Sequence, residues 1–112
     1  MKSILIQGIR DLEELLPKDY TAYYRPSDDE ITRFMETCKS HLEKCEDAPH
    51  HNFGDLKSDL QLYYDLIHTT TKFYRSNMME ETKTMLNTAE LLAKGIERNH
   101  AIFSESHNRL YA

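Results

Sequence analysis

Residues 54–95 read GDLKSDLQLYYDLIHTTTKFYRSNMMEETKTMLNTAELLAKG, and between the two terminal glycines lie forty residues with neither glycine nor proline. Leu56, Leu60, Tyr63, Ile67, Thr70 and Tyr74 recur there in alternating steps of four and three, with Leu66 and Phe73 widening the stripe. That spacing places one apolar face on an α-helix over about 55–75. A second stripe, Met85, Leu86, Ala89, Leu92, Ala93, Ile96 and Phe103, predicts a helix over about 78–104. Asn77-Met78-Met79-Glu80 has the form of a capping box at its start. The intervening turn is too short for anything but antiparallel packing.

Two more helices precede this hairpin. Ser27-Asp28-Asp29-Glu30, directly after Pro26, is a capping box with three acids in the first turn. Ile31, Phe34, Met35, Cys38, Leu42 and Cys45 follow at helical steps, and Ala48-Pro49 closes a helix over about 28–47. Upstream, Leu5, Ile9, Leu12, Leu15 and Leu16 share a side of a helix over about 3–16 that Pro17 ends. Gly8 in its middle costs about 1 kcal/mol relative to alanine. Strand signals are absent, and the chain has no valine. The expected fold is therefore all-α: an antiparallel four-helix bundle, with residues 1–112 forming a single helical domain.

The hairpin over 63–96 resembles one tetratricopeptide repeat. Phe73, Glu80-Glu81, Leu86 and Ala89 stand where that motif has an aromatic, an acidic pair, a bulky residue and a small one. The motif's tryptophan, its first-helix glycine and its closing proline have no counterparts, and no second copy follows. The resemblance implies an αα-hairpin and adds nothing to the functional reading.

Charge and composition exclude several classes. Nineteen acidic residues against fourteen basic ones give a net charge of −5, and residues 28–47 alone hold seven acids against three bases. Without a basic stripe elsewhere, nucleic acid is not an expected partner. No apolar run is long enough to span a membrane. The N-terminal Ile4-Leu5-Ile6 is too short for a secretory segment, so a cytoplasmic setting is expected. Cys38 and Cys45 lie seven residues apart on one helix, roughly 10 Å by helical rise, too far for a disulfide. Both are expected to be free thiols.

Candidate chemistry is sparse. Cys38, His41 and Cys45 fall on one helix face ahead of His50 and His51, and thiolate with imidazole is the donor set zinc prefers. Two turns between the cysteines put them beyond reach of one ion, and both lie on the apolar stripe. Asp65 and His68, and Glu97 and His100, each pair a carboxylate with a histidine three residues on, as di-iron bundles do. Asp65 points about 180° away from Leu56 at 100° per residue, toward solvent, whereas His100 falls on the inner face. The metal-ligand candidates are thus Cys38, His41, Cys45 and His100. No phosphate-binding loop, nucleophile elbow or metalloprotease pair occurs, so neither catalytic residues nor a cofactor are expected.

The segment from Pro17 to Pro26 contains Tyr20, Tyr23, Tyr24 and Arg25. Tyrosine and arginine dominate binding energy at many interfaces, and flanking prolines lower the ordering cost. The same tyrosines could instead seal one end of the bundle. Asp29, Glu36 and Glu43 on the second helix form an acidic face open to a basic partner. The expected function is a non-catalytic protein–protein interaction module, a small regulator, adaptor or inhibitor, using this loop and that face. A metal-binding helical bundle is the alternative. Packing of the Ile- and Leu-rich first helix across a two-fold axis makes a homodimer the candidate assembly.

Overall fold

The computed structural model describes residues 4–19, 24–47 and 54–99. Four α-helices run Ile4–Glu14 (α1), Asp28–Asp47 (α2), Gly54–Arg75 (α3) and Met79–Asn99 (α4). Each helix packs mainly on two others: α1 on α2 and α4, and α3 on α2 and α4. Side-chain contacts give the directions. Phe34 stacks on Tyr74 and His41 bonds Tyr63, so α2 and α3 run antiparallel. Arg10 reaches Glu90, while Glu13 and Leu16 line one groove with Lys83 and Leu86, so α1 opposes α4. The result is the expected all-α antiparallel four-helix bundle.

The predicted stripes form its core. Leu5, Ile9 and Leu12 from α1 meet Phe34, Cys38 and Cys45 from α2. Leu60, Tyr63, Ile67 and Tyr74 from α3 and Leu86, Ala89, Ala93 and Ile96 from α4 complete it. Phe34 and Tyr74 lie parallel, 3° apart, with ring centroids separated by 4.1 Å. The buried hydroxyls of Thr70, Thr71 and Thr82 donate to carbonyls of Leu66, His68 and Met78 respectively, so each is satisfied within its own helical turn. On α1 and the turn that follows it, Leu5, Ile9 and Leu12 are fully covered within the chain, while Ile4, Ile6, Leu15 and Leu16 are partly buried at the edge of the core.

The helix ends follow capping chemistry, with one correction. At α2 the expected box is present: Glu30 N–H donates to Ser27 Oγ at 3.1 Å, and Ser27 N–H donates to Glu30 Oε1 at 3.0 Å. Ser27→Ala is expected to cost about 1 kcal/mol, read as a fall of several degrees in thermal denaturation. Asn77 does not cap α4. It adopts the left-handed region at φ 66° and closes α3. Met78 N–H donates to Phe73 O at 2.9 Å and Asn77 N–H to Tyr74 O at 3.1 Å, the paired bonds of a Schellman motif. Thr82 N–H then bonds Met78 O at 2.9 Å, which makes Met78 the N-cap residue of α4. Asparagine is favoured at both kinds of position, so the local sequence alone misassigns it. α1 is shorter than expected because Leu15 and Leu16 turn back to Leu12 O and Glu13 O in a tighter final turn. The extension of α4 to 104, with Phe103, lies outside the described residues.

Candidate functional site

Two places in the bundle gather the residues singled out by the sequence. The first is interior. His41 is carried inward by the apolar stripe of α2 and is only 5% exposed. Its Nε2 lies 2.5 Å from the hydroxyl of Tyr63, which donates in turn to the carbonyl of Leu5 at 3.3 Å. With the tyrosine hydrogen directed at the Leu5 carbonyl, the imidazole donates from Nε2, the tautomer that satisfies both contacts. Nδ1 is then an acceptor. Cys45 Sγ sits 3.9 Å from both ring nitrogens, the outer limit for a weak thiol contact.

Above this ring passes α1. A Cβ placed on Gly8 would overlap the imidazole of His41, so glycine is what lets the helix backbone rest on it. The price of glycine in a helix is offset here by contact no other residue permits.

Burial controls the electrostatics of this cluster. It drives the His41 pKa down to about 4, against a raising influence of Asp11 and a further lowering by Lys44. Burial likewise pushes both thiols up to about 12, with Glu46 and Glu97 adding to the rise at Cys45. The Tyr63 hydroxyl is raised well above its ordinary value by the same cause. Every member is therefore neutral near pH 7. Neutral thiols held inside an apolar core are poor nucleophiles and poor metal ligands. Cys38 and Cys45 are unbridged, as their spacing requires.

Among the described residues, no three His, Cys, Asp or Glu side chains come together in a way that could hold a metal ion. His41 has its Nε2 committed to Tyr63, and Asp65 and His68 are exposed on the outside of α3. Glu97 is half-buried near Cys45 and Tyr63. His50, His51 and His100 lie outside the described residues. Neither the Tyr63 hydroxyl as partner of His41 nor the Leu5 carbonyl as partner of Tyr63 is readable from the sequence, since 22 and 58 residues separate the paired groups. The one local signal was Gly8, a glycine in the middle of an otherwise regular stripe.

The second place is the start of α2. Tyr24 is half-buried, and its hydroxyl donates to Glu30 Oε2 at 2.5 Å while Oε1 of the same carboxylate closes the capping box. This bond lowers the Glu30 pKa, with the Ser27 amide assisting, and lifts the Tyr24 hydroxyl to about 12. Pro26 is buried, and Arg25 between them is exposed. Tyr24 thus anchors the loop, while Tyr20 and Tyr23 lie outside the described residues. Asp29, Glu36 and Glu43 are all exposed along the outside of α2. Arg33, Lys39 and Lys44 are exposed on the same helix, which makes this surface mixed in sign rather than uniformly acidic.

No helix among the described residues is long and apolar enough to cross a membrane. No protein-family model matches the chain, and no curated protein or solved structure is significantly similar to it.

Proposed function

We propose that this chain is a non-catalytic protein-binding module, a small regulator, adaptor or inhibitor, whose contact surface runs from Arg25 along the outer side of α2. The observation that carries this reading is the pinned stem beneath Arg25. Tyr24 on one side is bonded to Glu30, and buried Pro26 on the other leads into the Ser27–Glu30 cap. An exposed arginine on a fixed backbone loses little freedom when a partner engages it, which is the property of an interface anchor. Asp29, Glu36 and Glu43 extend the surface, because residues seven apart drift only about 20° around a helix per step.

Alternating signs on α2 favour a folded protein of complementary mixed charge over a polyanion. The two unbridged cysteines fit a reducing, cytoplasmic compartment.

The test is retention of a partner from lysate of the source cells. The triple variant Arg25→Glu, Glu36→Lys, Glu43→Lys should retain a stoichiometric partner at least tenfold less well than the native chain. Its helicity and melting temperature should stay nearly constant, since all three side chains are exposed. Undiminished retention by that variant, with a Glu81→Lys control behaving alike, would remove this surface from consideration.

A further inference from the structure

We propose that α1 is an acid-released flap: lowering the pH lifts it from the bundle before the α3–α4 hairpin melts, and so uncovers the thiol of Cys45. The geometry is specific to one helical turn. Leu5 supplies the carbonyl that accepts from Tyr63, and Gly8, three residues on, lies directly against the imidazole of His41. Helices α1, α2 and α3 thus meet at a single neutral ring, with Cys45 one turn along α2. In the Nε2–H tautomer, Nδ1 faces Gly8 and the Cys45 thiol. A second proton on the ring therefore points at the α1 backbone from a position only 5% exposed, where a charge is poorly solvated.

The groups facing the ring are few. Asp11 on α1 favours the charged form and Lys44 on α2 opposes it. Tyr63 from α3 and Cys45 from α2 are neutral, and Glu97 from α4 acts on both of those. Burial outweighs them all, and the ring resists protonation until about pH 4. A charge there is relieved most cheaply by admitting water on the α1 side. α1 is the shortest helix, eleven residues, and is tied to α2 through the long connection 15–27. α3 and α4 are instead locked by the Schellman turn at Asn77. Once detached, a helix of this length is below the roughly 12–15 residues that sustain helicity in water, so release is accompanied by unwinding.

The full chain is titrated from pH 7 to pH 4. Thiol labelling by 4,4′-dithiodipyridine, which stays reactive in mild acid, is normalised to free cysteine and assigned by mass spectrometry. Far-ultraviolet circular dichroism is recorded on the same samples. Cys45 labelling should rise at least tenfold toward pH 4 while roughly one-seventh of the helical signal is lost, the share of α1 among the four helices. His41→Gln, which keeps a neutral donor toward Tyr63, should hold labelling within twofold across the range. Labelling that stays flat in the native chain, or that rises only as the whole helical signal collapses, overturns the proposal. So does an equal response in His41→Gln. If that variant does not fold, the two signals of the native chain decide alone.

Discussion

Gly8→Ala is expected to destabilise the protein by about 2 kcal/mol, although helix propensity alone predicts a gain of about 1 kcal/mol. The two effects have opposite signs, which makes the substitution decisive. Alanine relieves the backbone entropy that glycine costs in the middle of α1. Its methyl group, however, must occupy space already taken by the His41 ring. That ring cannot step aside freely, because it is fixed to Tyr63 on one side and lies against Cys45 on another. Either α1 shifts outward and opens gaps around Leu5, Ile9 and Leu12, or the ring abandons Tyr63 and leaves its buried N–H unmatched. Overpacking of this kind typically costs about 1–3 kcal/mol. Thermal denaturation should show a fall on the order of 10 °C. A rise in melting temperature would mean that α1 does not rest on the imidazole.

Stability should also fall steeply in mild acid, by about 3 kcal/mol between pH 6.5 and pH 4, on account of His41 alone. In the unfolded chain the imidazole takes up a proton near pH 6.5, whereas in the folded chain burial delays uptake to about pH 4. The unfolded state therefore binds more protons throughout that window. The contribution is complete above pH 6.5 and is lost as the pH falls toward 4. Glu30, whose pKa is lowered by Tyr24 and Ser27, loses its stabilising bonds further into acid. Urea unfolding at steps across the window should give a slope that His41→Gln largely removes. A native chain whose stability is flat from pH 7 to pH 5 would show that the histidine is not buried in its neutral form.

Much of this architecture was legible because the helices are amphipathic and well bounded. α2 begins at its capping box and ends as expected, and its Phe34, Cys38 and Cys45 are buried as the periodicity requires. α3 and α4 were likewise readable from uninterrupted stripes. The outward position of Asp65 followed from angle alone and is observed. Asn77 was misassigned because one residue type serves both the end of one helix and the start of another. With a turn this short, only the backbone angle separates the two roles.

The interior cluster shows a different limit. His41, Cys38 and Cys45 could be placed on one buried face from spacing. What the histidine does there depends on Tyr63, which reads locally as one more aromatic on an apolar stripe, and on Gly8, which reads as a defect in α1. Their convergence is a property of how three helices pack, and no local pattern encodes it. The same holds for Tyr24: its position in a Tyr-rich loop is compatible with partner contact or with sealing the bundle, and the bond of its hydroxyl to the cap of α2 is not encoded in either pattern.

The residues most suggestive of chemistry, His41 and Cys45, form with Tyr63 a buried, neutral structural clasp. Nitrogen-15 spectroscopy of the His41 imidazole, followed from pH 7.5 to pH 4 with and without one equivalent of zinc, tests this most directly. The Nε2–H tautomer should persist unchanged to about pH 5, begin to titrate near pH 4 and ignore the metal. A ring that titrates near pH 6.5, or whose Nδ1 signal shifts on adding zinc, would contradict the clasp and restore Cys38, His41 and Cys45 as ligands.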